Sequence, residues 1–312
     1  MLINFQSRNN KFLYYLSGHL RRLYPTQFLN FNPKKIEKTL TGIELSNIFT
    51  RLNYYNKIDT TFSPVQLDLR LKDMKMNDGS YSLDFYKYSR YFNQNYRISR
   101  LFGDVNYSPN IPTFVKSRPV ENNYNSVLMK LNEIRHFYFV HHDIPFSSKK
   151  DSLVWRGASH QNLRKGFLDS FYSKSDMIDV GDPSTADGIY SSSFLTISQQ
   201  LKHKFILSIE GNDVATNTKW IMSSNSLCFM RKPRYETWFM EGKLIPNFHY
   251  VLLNDDFSDI LDKIEYFLSN PEEAKFIIKN ANEHVDIFRN KKIETLLNYK
   301  VMEKYFEFSK QH

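Results

Sequence analysis

The segment Trp155-Arg156-Gly157-Ala158-Ser159 combines residue types that bind phosphate, and Arg164 follows in what we predict to be the opening of a helix. A glycine after a strand lets the backbone turn sharply, and the first N–H groups of the next helix lack partners within it. Arginine supplies forked donors that match phosphate oxygens, and Ser159 adds a hydroxyl. This pattern indicates a phosphate-binding corner, with a surface loop carrying two solvated arginines as the alternative.

A second corner runs from Ile209 to Trp220 and begins with Glu210-Gly211. Gly211 permits close approach of the backbone to a ligand, and Lys219 is predicted to lie one turn into a helix, where it can reach a diphosphate. Residues of the types that cap helices precede this lysine: Asn212, Asp213 and Thr216. The spacing is not that of a Walker A loop. A well-capped helix with a solvated lysine is the alternative.

A third segment, from Arg234 to Glu241, carries residues that suit a sugar or a base. The carboxylate of Glu236 can accept hydrogen bonds from ribose or hexose hydroxyls, and the aromatic residues beside it can stack on a ring. A surface helix with a buried tryptophan is the alternative.

Deprotonation of a sugar hydroxyl needs a carboxylate or an imidazole within hydrogen-bond reach. The candidates in the first half of the chain are Asp104, Glu121, Asp143 and the pair His141-His142, and each also fits a structural or solvated role. We expect no metal site, because adjacent histidines point in different directions and no further spacing of His, Asp or Glu completes one.

The elements that must position these residues are clearest in the second half of the chain. Short apolar runs alternate there with helical or loop patterns: Asp151 to Trp155, Lys204 to Ile209, Ser226 to Met230 and Tyr250 to Leu253. This alternation predicts a parallel α/β sheet. The sequence Asn270-Pro271-Glu272-Glu273 predicts a helix start, and that helix should run to about Phe288.

The first half contains two further local patterns. Residues Lys11 to Tyr24 have apolar residues at helical spacing with His19, Arg21 and Arg22 among them, which predicts either a membrane-surface helix or a helix packed on its own domain. Asp78-Gly79 followed by alternating residues predicts a turn that enters a strand.

Composition restricts the partners and the compartment. The formal net charge of +9 favours anionic partners, among them nucleotide diphosphates, phosphorylated glycolipids, membrane surfaces and nucleic acids. The single cysteine, Cys228, excludes an intramolecular disulfide and is predicted to be a small buried core residue. No segment resembles a signal peptide or an apolar span of about 18 residues, so we expect a cytoplasmic protein.

Several ordered motifs together resemble the glycosyltransferase family 90 domain, which lipopolysaccharide core glycosyltransferases, fungal capsule-associated proteins and animal protein O-glucosyltransferases share. The matching stretches are Lys116-Ser-Arg-Pro119, Arg135-His136-Phe137, Leu153-Val-Trp-Arg-Gly157, Leu201-Lys-His-Lys-Phe205, Glu210 to Trp220, Tyr235 to Glu241 and His249-Tyr-Val251. They span roughly residues 100 to 290, and the bacterial lipopolysaccharide branch looks closest.

The resemblance implies a GT-B fold, in which two Rossmann-like α/β domains face a cleft and a C-terminal helix can cross back to the N-terminal domain. It implies an acceptor-side domain over residues 1–148, a donor-binding domain over 149–312, and a metal-independent inverting transfer with no cofactor. The implied donor is a UDP-sugar, and the implied acceptor is a glycan or glycolipid, such as lipopolysaccharide core, at the cytoplasmic face of the inner membrane. By position, Arg156, Gly157, Ser159, Arg164 and Lys219 match residues of the family's donor diphosphate site.

The chain departs from the family pattern in two places. Ala215 and Asn217 stand where the animal enzymes carry Ser and Arg, and the family's acidic base falls near Asn122 or Asn123. Because an amide is not a useful base at neutral pH, another acid must serve, and Asp104 is favoured over Asp143. The phosphate corners should stabilise the charge that develops on the departing nucleoside diphosphate.

Three other functions are weighed against this one. A basic, aromatic-rich nucleic-acid binder fits the charge, but the chain shows no recognisable binding module or clustered basic run. A noncatalytic donor-binding protein fits the displaced acid. A phosphoryl transferase should show a Gly-rich loop with Lys-Ser/Thr or a pair of metal-binding acids, and neither is evident.

Overall fold

The computed structural model describes residues 11–23, 31–64, 69–185 and 187–311. By packing, these residues form two compact units. Unit 1 comprises residues 136–234 and 241–287, and unit 2 comprises the described residues up to 135 together with 235–240 and 288–311. The functional division predicted between residues 148 and 149 stays a prediction.

α-Helices and strands alternate strictly between residues 133 and 230, whereas the other described parts of the chain contain runs of helices or runs of strands. The helices are α1 (Lys11–Leu23), α2 (Pro33–Glu37), α3 (Gly42–Tyr55), α4 (Ser80–Ser89), α5 (Glu133–His136), α6 (Asn162–Phe171), α7 (Ile197–Gln200), α8 (Thr218–Met222), α9 (Ile260–Ser269), α10 (Pro271–Asp286) and α11 (Lys291–Phe308). The strands are β1 (Leu69–Arg70), β2 (Arg97–Ile98), β3 (Arg100–Leu101), β4 (Thr113–Val115), β5 (Ser117–Pro119), β6 (Ser126–Leu128), β7 (Lys150–Arg156), β8 (Ile178–Gly181), β9 (His203–Ser208), β10 (Leu227–Met230), β11 (Tyr235–Thr237) and β12 (Val251–Leu252).

Unit 1 is built on a five-stranded sheet in the order β12-β10-β9-β7-β8, and every neighbouring pair is parallel. The four apolar runs predicted to form a parallel sheet are its strands β7, β9, β10 and β12, so this prediction and the α/β class are confirmed. These runs are nearly continuous because both faces of a parallel sheet are buried, and Leu153, Phe205 and Phe229 are fully enclosed.

The helices of unit 1 close its core. Phe167 of α6, Ile264 of α9 and Ile277 of α10 join the strand side chains in one apolar cluster. Since the strands are parallel, their carboxyl ends all meet at one edge of the sheet, which is where open α/β sheets bind ligands. We call this edge the carboxyl edge; it is formed by the strand ends Arg156, Gly181, Ser208, Met230 and Leu252.

Unit 2 has smaller sheets around an aromatic core. Strands β1-β2 and β5-β11 pair antiparallel, while β3-β4-β6 pair parallel. The Phe114 ring lies 5.2 Å from that of Phe85 and 4.2 Å from that of Tyr305 on α11. A buried carboxylate, Glu294 of α11, accepts hydrogen bonds from Arg51 at 2.5 Å and from the Trp238 indole at 2.7 Å.

Most of the local predictions hold. Helix α1 is confirmed to Leu23, whereas Tyr24 lies outside the described residues. Helix α10 is confirmed from Pro271 and ends at Asp286. The strand predicted after Asp78-Gly79 is wrong, because Ser80–Ser89 forms α4. The small serines of this helix are buried, so both sides of the segment are packed. Its short alternating pattern had therefore resembled that of a strand.

Two further observations concern burial. Cys228 is buried within β10 as predicted, and burial raises the pKa of its thiol. Within the described ranges, no helix combines the length and the apolar composition needed to cross a bilayer.

Candidate functional site

The corner after β7 requires glycine for reasons of space. A Cβ atom on Gly157 would lie 2.4 Å from Cζ2 of Trp155, well inside van der Waals contact. The Gly157 N–H donates to the carbonyl of Gly181 at 3.2 Å, which holds the corner beside the end of β8. A larger residue would push this corner away from the carboxyl edge.

Helix α6 presents an open N-terminus directly after this corner. Its N-cap residue, Gln161, makes no capping hydrogen bond with its side chain and instead donates to Asn212 Oδ1 at 3.3 Å. The first turn contains no acidic residue but does contain Arg164. Helices usually place carboxylates there, because the unpaired N–H groups and the helix dipole favour negative charge. This helix end is therefore suited to a bound anion.

Arg164 brings the two predicted corners together. Its Nε donates to the carbonyl of Glu210 at 3.0 Å, and its Nη2 donates to the carbonyl of Ile209 at 3.1 Å. A Cβ atom on Gly211 would lie 3.2 Å from Arg164 Nη2, so glycine allows this close approach. The guanidinium also lies 5.8 Å from the centre of the Trp155 ring. Arg164 thus links β7, α6 and the exit of β9.

Arg156 stabilises the same carboxyl edge through contacts of its guanidinium. Its Nη2 lies 2.6 Å from Asp179 Oδ1, and its Nε donates to the carbonyl of Ser193 at 3.0 Å. Only 7% of its side chain is exposed. The alternative interpretation of two solvated arginines therefore does not describe this residue, and its guanidinium fixes the neighbouring strand and the loop that follows it.

Ser159 is held by Asp182, a residue that the sequence analysis missed. Asp182 Oδ2 accepts hydrogen bonds from the Ser159 N–H at 2.7 Å and from its hydroxyl at 2.6 Å, and Ser184 serves the other oxygen. Although burial favours the neutral acid, these hydrogen bonds outweigh it and lower the pKa of Asp182 to about 2. Asp182 follows the end of β8, and this position would have indicated it as a site residue. The apolar runs in the sequence did not reveal β8, so Asp182 was missed.

A second missed group lies at the exits of β10 and β12. Glu210 Oε2 accepts from Arg231 Nη2 at 3.3 Å, and its Oε1 accepts from the Arg234 backbone N–H at 3.1 Å. Arg231 Nη1 also donates to the carbonyl of Asp255 at 2.9 Å. Glu210, predicted to contact a donor, thus also organises the arginines of the neighbouring strand exit.

The predicted geometry around Lys219 is wrong in two respects. Helix α8 begins at Thr218, so Lys219 is its second residue and does not lie one turn inside it. The N-cap is Asn217, so the capping roles predicted for Asn212, Asp213 and Thr216 are not found. The loop closes instead through the Gly211 N–H, which donates to the carbonyl of Asp213 at 3.0 Å.

The Lys219 side chain is enclosed in unit 1. Its ammonium lies 2.6 Å from Glu241 Oε1, and the two side chains are 0% and 2% exposed. It also lies 5.9 Å from the centre of the Phe137 ring. In this arrangement the lysine is a buried partner of a carboxylate and not the solvated lysine of the alternative interpretation.

Glu236 belongs to unit 2, on strand β11, and the surface-helix alternative for its segment is wrong. The carboxylate accepts from Arg118 Nε at 2.8 Å, from Asn123 Nδ2 at 3.3 Å, and from the Tyr54 hydroxyl. Glu236 is buried, so its carboxylate is occupied within unit 2.

The two candidate bases differ in their access to solvent. Asp104, in unit 2, lies 2.6 Å from Lys116 Nζ, and 38% of its side chain is exposed. Asp143, in unit 1, lies 2.7 Å from Lys149 Nζ, accepts from the Asn225 N–H at 2.8 Å, and is only 3% exposed. Only Asp104 of these two can be approached by an acceptor without a rearrangement. In the described part of the chain, no three His, Cys, Asp or Glu side chains form a group that could hold a metal ion.

Comparison with known proteins gives consistent matches. The model of the family described as Glycosyl transferase family 90 matches residues 123–311. The chain is 45% identical over 263 residues to O-glucosyltransferase LpsA of Dichelobacter nodosus, covering 83% of this chain and 82% of that protein. It is 31% identical over 108 residues to Protein O-glucosyltransferase 3 of Homo sapiens, covering 34% of this chain and 21% of that protein. The family match includes both corners at the carboxyl edge.

Proposed function

Because this chain belongs to glycosyl transferase family 90 and is a glycosyltransferase, we propose that it transfers a hexose from a UDP-sugar to a glycan acceptor. The name of the Dichelobacter relative suggests glucose as the hexose and an oxygen atom as the point of attachment. The proposed acceptor is lipopolysaccharide or lipooligosaccharide core, reached from the cytoplasm. A GT-B arrangement and an inverting, metal-independent reaction belong to the same proposal.

The open N-terminus of α6 at the carboxyl edge of unit 1 is the observation that carries this proposal. A helix N-terminus whose N-cap side chain makes no capping hydrogen bond, an arginine in the first turn and the lack of carboxylates in that turn favour a doubly charged diphosphate. The position agrees with the general rule that open α/β sheets bind nucleotides beyond the carboxyl ends of their strands.

The proposed donor site in unit 1 comprises Arg156, Gly157, Ser159, Arg164, Glu210, Gly211, Asn212, Asp213, Thr216 and Lys219. The donor contact predicted for Glu236 from sequence stays a separate prediction, because its carboxylate is hydrogen-bonded within unit 2. Within the donor site, Arg164 and the α6 N–H groups contact the diphosphate. Arg156 supports the corner through Asp179, and Ser159 is oriented by Asp182. Lys219 contributes through its buried pair with Glu241, which fixes the start of α8.

In the proposed reaction, the acceptor hydroxyl oxygen attacks the anomeric carbon while the bond between that carbon and the UDP oxygen breaks. Asp104 accepts the hydroxyl proton, since its carboxylate is the more exposed of the two candidates. Asp143 stays the second candidate. The α6 N–H groups and Arg164 stabilise the negative charge that accumulates on the departing UDP.

Calorimetric titration with UDP, with and without magnesium, tests the donor site. We expect magnesium-independent binding, and we expect Arg164→Ala to weaken it about 10- to 100-fold, as loss of a hydrogen bond to a charged group implies. Lys279→Ala is the control, because Lys279 lies on α10 of the same unit with 74% of its side chain exposed. Absence of UDP binding, or equal affinities of the two variants, would contradict the proposal.

Turnover of UDP-glucose by Asp104→Asn and Asp143→Asn tests the choice of base. Asp104→Asn should lower kcat by about 10²- to 10⁴-fold with UDP affinity unchanged. Asp143→Asn should mainly lower thermal stability, because its carboxylate is buried against Lys149. A wild-type protein that binds UDP but neither transfers nor hydrolyses any UDP-hexose would support the noncatalytic alternative.

A further inference from the structure

Helix α1 of unit 2 is attached to α4 along one side only. The Tyr14 hydroxyl donates to Asp84 Oδ1 at 2.5 Å, and Arg90 Nη1 donates to the carbonyl of Arg21 at 2.7 Å. Gly18 lies against Leu83, where a Cβ atom would come within 2.9 Å of Cδ1. This side of the helix is therefore fixed by specific contacts.

The opposite side of α1 is an exposed apolar stripe. Phe12, Leu16, Leu20 and Leu23 recur at helical spacing and are 71%, 42%, 53% and 80% exposed. A contiguous apolar surface of this kind on a folded protein marks an interaction site. The alternative predicted from the sequence, a helix packed on its own domain, accounts for only one of the two sides of α1.

An apolar groove of about 540 Å³ lies beside the stripe. Leu16, Leu20 and Leu23 line one wall, and Leu71, Met74 and Met76, which follow β1, line the other. Methionine side chains are flexible and adapt to irregular apolar ligands such as acyl chains. The apolar surface is therefore formed by α1 together with the segment that follows β1.

The charged side chains that line this groove are basic. His19, Arg22 and Lys72 are the basic residues of its lining, and the described residues that line it include no carboxylate. Basic residues that flank an apolar helix face bind the anionic headgroups of a bilayer while the apolar residues enter the acyl boundary. An apolar protein partner would not require this arrangement of cations.

We propose that α1 and the groove beside it form a membrane-binding face that takes a bilayer containing anionic lipid. The helix lies in the plane of the interface, with Phe12, Leu16, Leu20 and Leu23 inserted and with Arg22 and Lys72 at the level of the headgroups. This inference goes beyond the proposed function and does not rest on it, since lipid binding needs neither donor nor acceptor.

Flotation of the full-length protein with vesicles of phosphatidylcholine, alone or mixed with phosphatidylglycerol, tests this face. We expect binding to the mixed vesicles that weakens with added salt, and little binding to phosphatidylcholine alone. The double variant Leu16→Glu/Leu20→Glu should lose at least tenfold in affinity. Arg22→Gln/Lys72→Gln should lose about 30-fold at low salt, at about fivefold for each cation removed. Ile43→Glu is the control, an apolar residue of α3 that is 84% exposed.

Unchanged circular dichroism and UDP affinity will show that each variant is folded, and they separate failure of this inference from failure of the donor site. Equal binding to both kinds of vesicle, no binding, or equal loss in the control would overturn the proposal. A wild-type dimer in sedimentation that Leu16→Glu/Leu20→Glu converts to a monomer, without any vesicle binding, would assign the face to a second copy of the chain instead.

Discussion

Replacement of Lys219 by methionine should strongly destabilise unit 1. The ammonium and the Glu241 carboxylate lie 2.6 Å apart, and their side chains are only 0% and 2% exposed. At an effective dielectric constant of about 20 their attraction is about 6 kcal/mol, and removal of one partner of such a buried pair costs about 3–5 kcal/mol. Methionine fills a similar volume, so this cost comes from the carboxylate that stays buried without its ammonium. We expect the unfolding temperature to fall by about 10 °C.

The double variant Lys219→Met/Glu241→Gln provides the matched control. It removes both charges, so it should recover at least half of the lost stability in thermal unfolding followed by circular dichroism. If the losses of stability in the single variants Lys219→Met and Glu241→Gln simply add in the double variant, the reasoning from the buried pair is wrong. The same variants separate two roles of Lys219: recovery of UDP affinity with stability indicates a positioning role, whereas stable protein that no longer binds UDP indicates direct contact with the diphosphate.

Three further predictions concern buried groups and one glycine. Burial lowers the pKa of His203 from 6.5 to about 4. The stability contributed by its neutral form should therefore be lost as pH falls from 6.5 to 4, by about 3 kcal/mol. His203→Gln should flatten this part of the profile of unfolding free energy against pH. Burial raises the pKa of Asp84 from 3.8 to about 7, so stability should instead fall as pH rises from 4 to 7, by about 4 kcal/mol, a dependence absent in Asp84→Asn. Gly211→Ala places a methyl group 3.2 Å from Arg164 Nη2. It should weaken UDP binding about tenfold in calorimetry, as expected when a charged hydrogen bond is disturbed. Gly166→Ala is the control and should leave UDP binding unchanged, because its methyl group meets nothing within 4 Å.

The parallel sheet of unit 1 was predictable because buried strands leave near-continuous apolar runs. Strand β8 was missed because it is short, and the charged residue Asp179 interrupts its apolar side chains. Helix α4 was mistaken for a strand because its serines and aromatic residues alternate over a window too short to separate the two periods.

At the candidate site, the glycines and arginines of the two corners were predictable because they are local in sequence. Their partners were not. Asp182 reaches Ser159 only because β8 lies beside β7, and Arg231 reaches Glu210 only because β10 lies beside β9. Such pairs depend on the order of strands in the sheet, which a single sequence does not specify. The catalytic and donor-binding roles assigned to these residues stay predictions.

The connectivity of the two units has a consequence for synthesis of the chain. Between residues 11 and 311 the chain passes from one unit to the other four times. In unit 2, strand β5 pairs with β11 and Arg51 pairs with Glu294 of α11, so both contacts need segments that are synthesised later. We therefore expect residues 11–135 to leave the ribosome without a completed core and to be accessible to chaperones and proteases until α11 has emerged.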